Sequence, residues 1–116
     1  MRIDLDLVCE TYALVDPPVP VAYARSGSAT LAEAVADAME HTSCTLLQSH
    51  GVVTVGGNLL QAFTRMELIE EAARLTFMCR AMGTVRHLSD SEKAELDAYI
   101  GRTATASVPD ERSERP

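Results

Sequence analysis

Apolar residues recur along this chain in two distinct periods, and the change from one to the other marks the elements. From Leu59 to Met82 they return every three or four positions, the spacing of a helix face, with Asn58 placed to cap the start and Gly83 to stop the end. Leu59, Ala62, Phe63, Met66, Ile69, Ala73 and Phe77 form one stripe, and Leu68, Ala72, Leu75 and Cys79 a second. So wide an apolar arc predicts burial on two sides, against a sheet and against another subunit. Leu31, Ala34, Val35, Ala38 and Met39 repeat at helical spacing as well, which predicts a helix capped by Ser28 or Thr30 and running to about His41. Cys44 to Gln48 and Val52 to Val55 read as short strands, joined at Ser49-His50-Gly51 into an antiparallel hairpin. Ser89-x-x-Glu92 opens a last short helix that Gly101 closes.

The flanks are less regular. The stretch to Tyr12 reads as a strand or an irregular lead-in, and Asp16-Pro17-Pro18 breaks it. Val19-Pro20-Val21-Ala22 is extended, and Pro20 suits an edge strand or a strand start. From Arg102 onward small, polar and charged residues cannot bury enough surface to order themselves. The expected organisation is a lead-in over 1–18, one domain piece over 19–101 and a disordered tail over 102–116. Three or so short strands under a helix with two apolar sides make an incomplete sheet, as in a piece of a larger α/β domain.

The chain has 116 residues, 47% of them apolar, and no apolar run approaches the roughly 20 residues that span a bilayer. Met1 leads into alternating charged and aliphatic residues rather than a secretory signal, so a cytoplasmic location is expected. A formal charge of −7 argues against non-specific nucleic-acid or anionic-membrane binding, which needs a basic surface. Cys9, Cys44 and Cys79 are odd in number and widely spaced, so they suggest neither disulfides nor a cysteine zinc site; Cys44 and Cys79 read as buried thiols.

His50 is the one residue whose place suggests chemistry. A turn between two apolar strands holds an imidazole rigidly, and Gly51 beside it permits close approach. The plainer alternative is a turn histidine bonded to a neighbouring carbonyl. No H-x-H or H-x-x-x-H partner accompanies it, and His41 and His87 read as exposed and non-catalytic. Val55-Gly56-Gly57-Asn58 places glycines at a helix start, where amides could bind an anion, although a simple strand-to-helix turn explains them better. Glu70 and Glu71 are each placed to pair with Arg74 on a solvated face.

Val19 to Tyr23 leading to Gly27-Ser28, then Leu46-Leu47-Gln48-Ser49-His50-Gly51-Val52-Val53-Thr54-Val55-Gly56, then Glu67-x-x-Glu70-x-Ala72-Ala73-Arg74 and Leu88-Ser89-Asp90 together resemble the C-terminal half of the class II aldolase/adducin family, nearest its L-fuculose-1-phosphate aldolase branch. The resemblance covers roughly residues 19 to 100. It implies part of a three-layer α/β/α sandwich with a mostly antiparallel central sheet, commonly assembled as a homotetramer with active sites between subunits. It also implies a metal-dependent aldehyde-lyase that cleaves a small phosphorylated sugar by retro-aldol chemistry. Zinc there acts as the Lewis acid that stabilises the enediolate.

In that family the histidine of the His-Gly turn is the third zinc ligand, a role that falls on His50. The other ligands, the catalytic glutamate and the phosphate-binding residues lie upstream of the matching stretch and have no counterpart here. Tyr12 and Tyr99 are the candidates for the family's catalytic tyrosine and its C-terminal aromatic. The chain alone is therefore expected to be inactive, acting with a complementing N-terminal half or as a homo-oligomer. The alternatives are a non-catalytic, adducin-like oligomerisation module and an epimerase, dehydratase or decarboxylase on the same scaffold.

Overall fold

The computed structural model describes residues 2–101, and the tail expected over 102–116 lies outside the described residues. A 3-10 turn at Leu5–Leu7 precedes helix α1 (Cys9–Leu14), strand β1 (Val19–Val21), helix α2 (Ala29–Met39), strands β2 (Cys44–Leu47) and β3 (Gly51–Thr54), and helices α3 (Leu59–Met82) and α4 (Asp90–Ile100). The fold is α/β, with one three-stranded sheet in the order β1-β2-β3 among the described residues. β2 and β3 form the expected antiparallel hairpin, with Leu46 opposite Val52. β1 runs parallel to β2, because α2 lies between them in the chain and carries it back as a crossover. The described sheet is thus mixed rather than mostly antiparallel, and β1 and β3 each have one unpaired edge within it.

The caps follow the local sequence. Asn58 accepts the amide of Gln61 at the start of α3, and Gly83 ends that helix at φ 80°. Ser89 and Glu92 complete a reciprocal capping box on α4, which Gly101 closes at φ 73°. Ser28, rather than Thr30, caps α2 by accepting the amide of Leu31.

The opening stretch differs from expectation: the alternation from Ile3 to Leu7 makes no strand but enters a short turn and then α1. Among the described residues no strand pairs with it, and its polar groups find partners on helices instead. The Asp4 amide donates to Thr76 Oγ1 on α3, and buried Thr11 donates its hydroxyl to the carbonyls of Leu5 and Val8. Val15, just past α1, is fully buried with Cys44 and Ile69, and Ile3, Leu5, Leu46, Val52 and Leu68 pack around them.

On α3 the buried line is Ile69, Ala72 and Thr76, whereas Leu59, Phe63 and Phe77 of the expected first stripe are exposed. Thr76 tolerates burial because it donates to the Ala72 carbonyl at 2.7 Å and accepts from Asp4. Cys44 is buried, and its desolvation together with nearby Asp16 pushes its thiol up to about 11. Cys79 is only half-buried and Cys9 is exposed. No helix among the described residues is long and apolar enough to cross a membrane.

Candidate functional site

The hairpin turn is built by a backbone that few residues adopt. The His50 amide closes it on the Leu47 carbonyl at 3.0 Å, Ser49 sits at φ 62°, and Gly51 takes φ 145°. A Cβ at position 51 would meet no atom, so glycine is required there by its dihedral and not by crowding. This geometry turns the His50 side chain outward, onto the loop that follows β1.

That loop grips the ring on three sides. Tyr23 stacks on it with centroids 5.7 Å apart and planes within 6°. The Ala24 carbonyl lies 2.7 Å from Nε2, and since a carbonyl only accepts, Nε2 carries the hydrogen. The Ser26 hydroxyl faces Nδ1 at 3.4 Å. Gln48 anchors the loop from the turn, its amide donating to the Val21 carbonyl and its Oε1 accepting from the Tyr23 amide. His50 is exposed, and its surroundings combine the two sequence readings: an accessible imidazole, held as a turn histidine on a neighbouring carbonyl.

A metal centre needs three or four converging donors, and among the described residues no group of three His, Cys, Asp or Glu side chains gathers to hold an ion. The residues present therefore do not fit a zinc site by themselves. His50 can offer one nitrogen, and only by releasing Ala24 or Ser26.

The other sequence candidates lie elsewhere. Tyr12 Oη donates to Asp97 of α4, 3.0 Å from Oδ2, and Lys93 Nζ stands 6.0 Å from the centre of its ring. Tyr99, in the last turn of α4, is 88% exposed. The glycine pair before α3 acts as a turn: Gln61 Oε1 takes the Gly57 amide at 2.6 Å, and a Cβ on Gly56 would stand 2.8 Å from the Ala62 nitrogen. Arg74 pairs with Glu71, not Glu70, at 2.8 Å.

A second cluster had no signal in the sequence. Asp6 receives His87 Nδ1 on one carboxylate oxygen and Lys93 Nζ on the other, both at 2.7 Å, and its carbonyl accepts the Leu88 amide at 2.8 Å. His87, expected to be exposed and idle, is half-buried here. Burial of Asp6 works against its charge, but hydrogen bonds and attraction from Lys93 and His87 prevail and hold its carboxyl below the ordinary value. More than 80 residues separate Asp6 from these partners, so no local motif could have announced them.

Three comparisons bear on this arrangement. A family model described as the Class II Aldolase and Adducin N-terminal domain matches residues 5–77, which takes in α1 as well as the His50 turn. A 3-oxo-tetronate 4-phosphate decarboxylase of Haemophilus influenzae is 35% identical over 77 residues, 66% of this chain and 36% of the relative. An L-fuculose phosphate aldolase of Methanococcus maripaludis is 33% identical over 75 residues, covering 65% of this chain and 37% of its own length. The solved structure of YgbL from Klebsiella pneumoniae, described by the composite activity aldolase/epimerase/decarboxylase, superposes with a TM-score of 0.73 at 29% identity, over 82% of this chain and 45% of that one. The chain thus spans little more than a third of these curated relatives and less than half of the solved one.

Proposed function

The chain belongs to the class II aldolase and adducin family, and we propose that it is the C-terminal part of a zinc-dependent aldehyde-lyase acting on a small phosphorylated sugar. In this reading His50 supplies one metal ligand, and the remaining ligands and the general base come from a complementing N-terminal half. The observation that carries it is the exposed, rigidly held imidazole at the hairpin bend, within the stretch that matches the family. A ring sealed in the apolar core could not serve. The unpaired edges of β1 and β3 are consistent with further strands completing a three-layer, mostly antiparallel sandwich. Tyr12 and Tyr99 remain the candidates for proton transfer and for closing a neighbouring site, and the setting is cytoplasmic and homo-oligomeric.

A second reading has a specific observation in its favour, since decarboxylases of 3-oxo-tetronate 4-phosphate stand beside the aldolases among the relatives. Loss of carbon dioxide and retro-aldol cleavage both build negative charge beside a carbonyl, so a divalent metal held in part by His50 would supply the same Lewis-acid chemistry to either. The non-catalytic, adducin-like module is the third possibility.

The test is to purify the chain alone and co-expressed with the upstream half of the Haemophilus influenzae relative, then to measure bound zinc and assay a ketose phosphate for aldehyde release and a 3-oxo acid phosphate for carbon dioxide. Zinc and turnover only in the co-expressed form, both lost in His50→Ala, are expected. Stoichiometric zinc on the chain alone overturns the divided site. Zinc-free complexes without turnover favour the adducin-like module.

A further inference from the structure

Arg25 is an isolated cation in an acidic stretch. Between Arg2 and Arg65 the sequence has no other lysine or arginine, but it has seven acidic residues. None of them neutralises it: among the described residues the ion pairs are made by Arg74, Arg80, Arg86, His87 and Lys93. The residues on either side of Arg25 are the two that hold the His50 ring, Ala24 through its carbonyl at Nε2 and Ser26 through its hydroxyl at Nδ1. The loop that grips the candidate imidazole thus also carries the one positive charge of this stretch.

Its place is fixed from both ends of the loop. The Ser28 amide donates to the Arg25 carbonyl at 3.1 Å, closing a turn in which Gly27 takes φ 73°, and upstream the Tyr23 amide is held by Gln48. The guanidinium folds back on this turn. Nη1 donates to the carbonyl of Ser26 at 3.0 Å, which keeps the charge beside the residue that faces His50. That bond leaves the edge formed by Nε and Nη2, on an exposed side chain, for a planar acceptor with two oxygens.

We propose that Arg25 is a specificity residue of the His50 site and takes the carboxylate of a small acid phosphate. The assignment rests on the lyase reading above and narrows its substrate to one that carries a carboxylate besides its phosphate. A carboxylate presents two coplanar oxygens, which match one free guanidinium edge. A phosphate is held by several converging donors, and the residues that contact the His50 ring bring no second cation. Position favours the carboxylate as well. When a 3-oxo acid loses carbon dioxide, the carboxylate leaves from the carbon on which negative charge builds, so the group that recognises it must stand at the reacting end, beside the imidazole. Arg25 selects and orients the acid there, and no bond breaks at it.

The test uses the co-expressed form described above and two probes that differ in one group: erythronate 4-phosphate, and erythritol 4-phosphate, which has a hydroxymethyl in place of the carboxylate. Calorimetry measures both affinities for the unaltered form, Arg25→Gln, Arg25→Lys and Arg74→Gln, the last removing another exposed arginine as a control for net charge. The acid should bind the unaltered form about tenfold or more tighter than the alcohol, the effect of one charge-assisted pair. Arg25→Gln should abolish that preference by weakening the acid, Arg25→Lys should keep part of it, and Arg74→Gln should keep all of it. Equal or absent binding of the two probes, or a preference that survives Arg25→Gln, would overturn the assignment. So would loss of assembly with the upstream half in Arg25→Gln, which would make Arg25 an interface residue instead. Turnover in the same preparations reports on the lyase reading separately. A preference that depends on Arg25 without any turnover keeps the carboxylate site and overturns the lyase, whereas turnover with no preference between the probes does the reverse.

Discussion

Two histidines in this chain sit in opposite kinds of setting. His50, at a hairpin bend, is exposed and meets a carbonyl, a hydroxyl and an aromatic face, all from one short loop. His87, in an unremarkable stretch before a helix cap, is half-buried against a carboxylate that also binds a lysine. The first assembly is local, solvated and adds little to stability. The second ties the amino-terminal turn to α4 across almost the whole chain. α4 has no fully buried residue, so polar contacts around Asp6 and Tyr12 do much of the work of holding it in place. A residue poised for chemistry and a residue that holds the fold therefore differ less in type than in how far along the chain their partners lie.

The largest expected effect breaks the second assembly. Asp6→Asn should cost about 2–3 kcal/mol in urea unfolding, because the bonds to His87 and Lys93 are both charge-assisted in a site shielded from water. The same change should remove part of the acid sensitivity. The Asp6 carboxyl titrates below its ordinary value of 3.8 in the folded chain, so its stabilising contribution is complete above that value. It is lost as the pH falls through the lower, folded value, and unfolding midpoints measured from pH 5 downward should decline less in Asp6→Asn.

Gly51→Ala comes next and strains the turn under His50. With φ at 145° and no crowding, the cost is backbone strain alone, about 1–2 kcal/mol in the same assay. His50→Ala should be the mildest, about 1 kcal/mol or less, since it removes two exposed hydrogen bonds, one of them long, and one stacked pair. A loss of 3 kcal/mol or more at His50, or none at Asp6, would reverse the comparison.

Much of the fold was legible because its signals are short-range. The caps at Asn58, Gly83, Ser89 and Gly101 act within one helical turn, and the hairpin around His50 joins strands separated by three residues. The candidate at His50 was legible for the same reason: its turn and its glycine are adjacent. The helical start from Leu5 to Leu14 was missed because alternation signals a strand only where another strand can pair with it, and here α3 and α4 take that place. One side of α3 faces outward in the single chain, and two apolar stripes by themselves cannot say which of them the chain's own core will take.

The amino-acid sequence by itself determined where α2, α3 and α4 begin and end, which strands form a hairpin, and that His50 sits at its bend. Each of these depends on dihedral preferences and hydrogen bonds a few residues apart. The tertiary structure alone decided that β1 lies parallel to β2, that Thr76 is buried while Phe77 is not, and that Asp6, His87 and Lys93 meet. Those outcomes depend on which distant surfaces are brought together to exclude water, and no local pattern of residues encodes that.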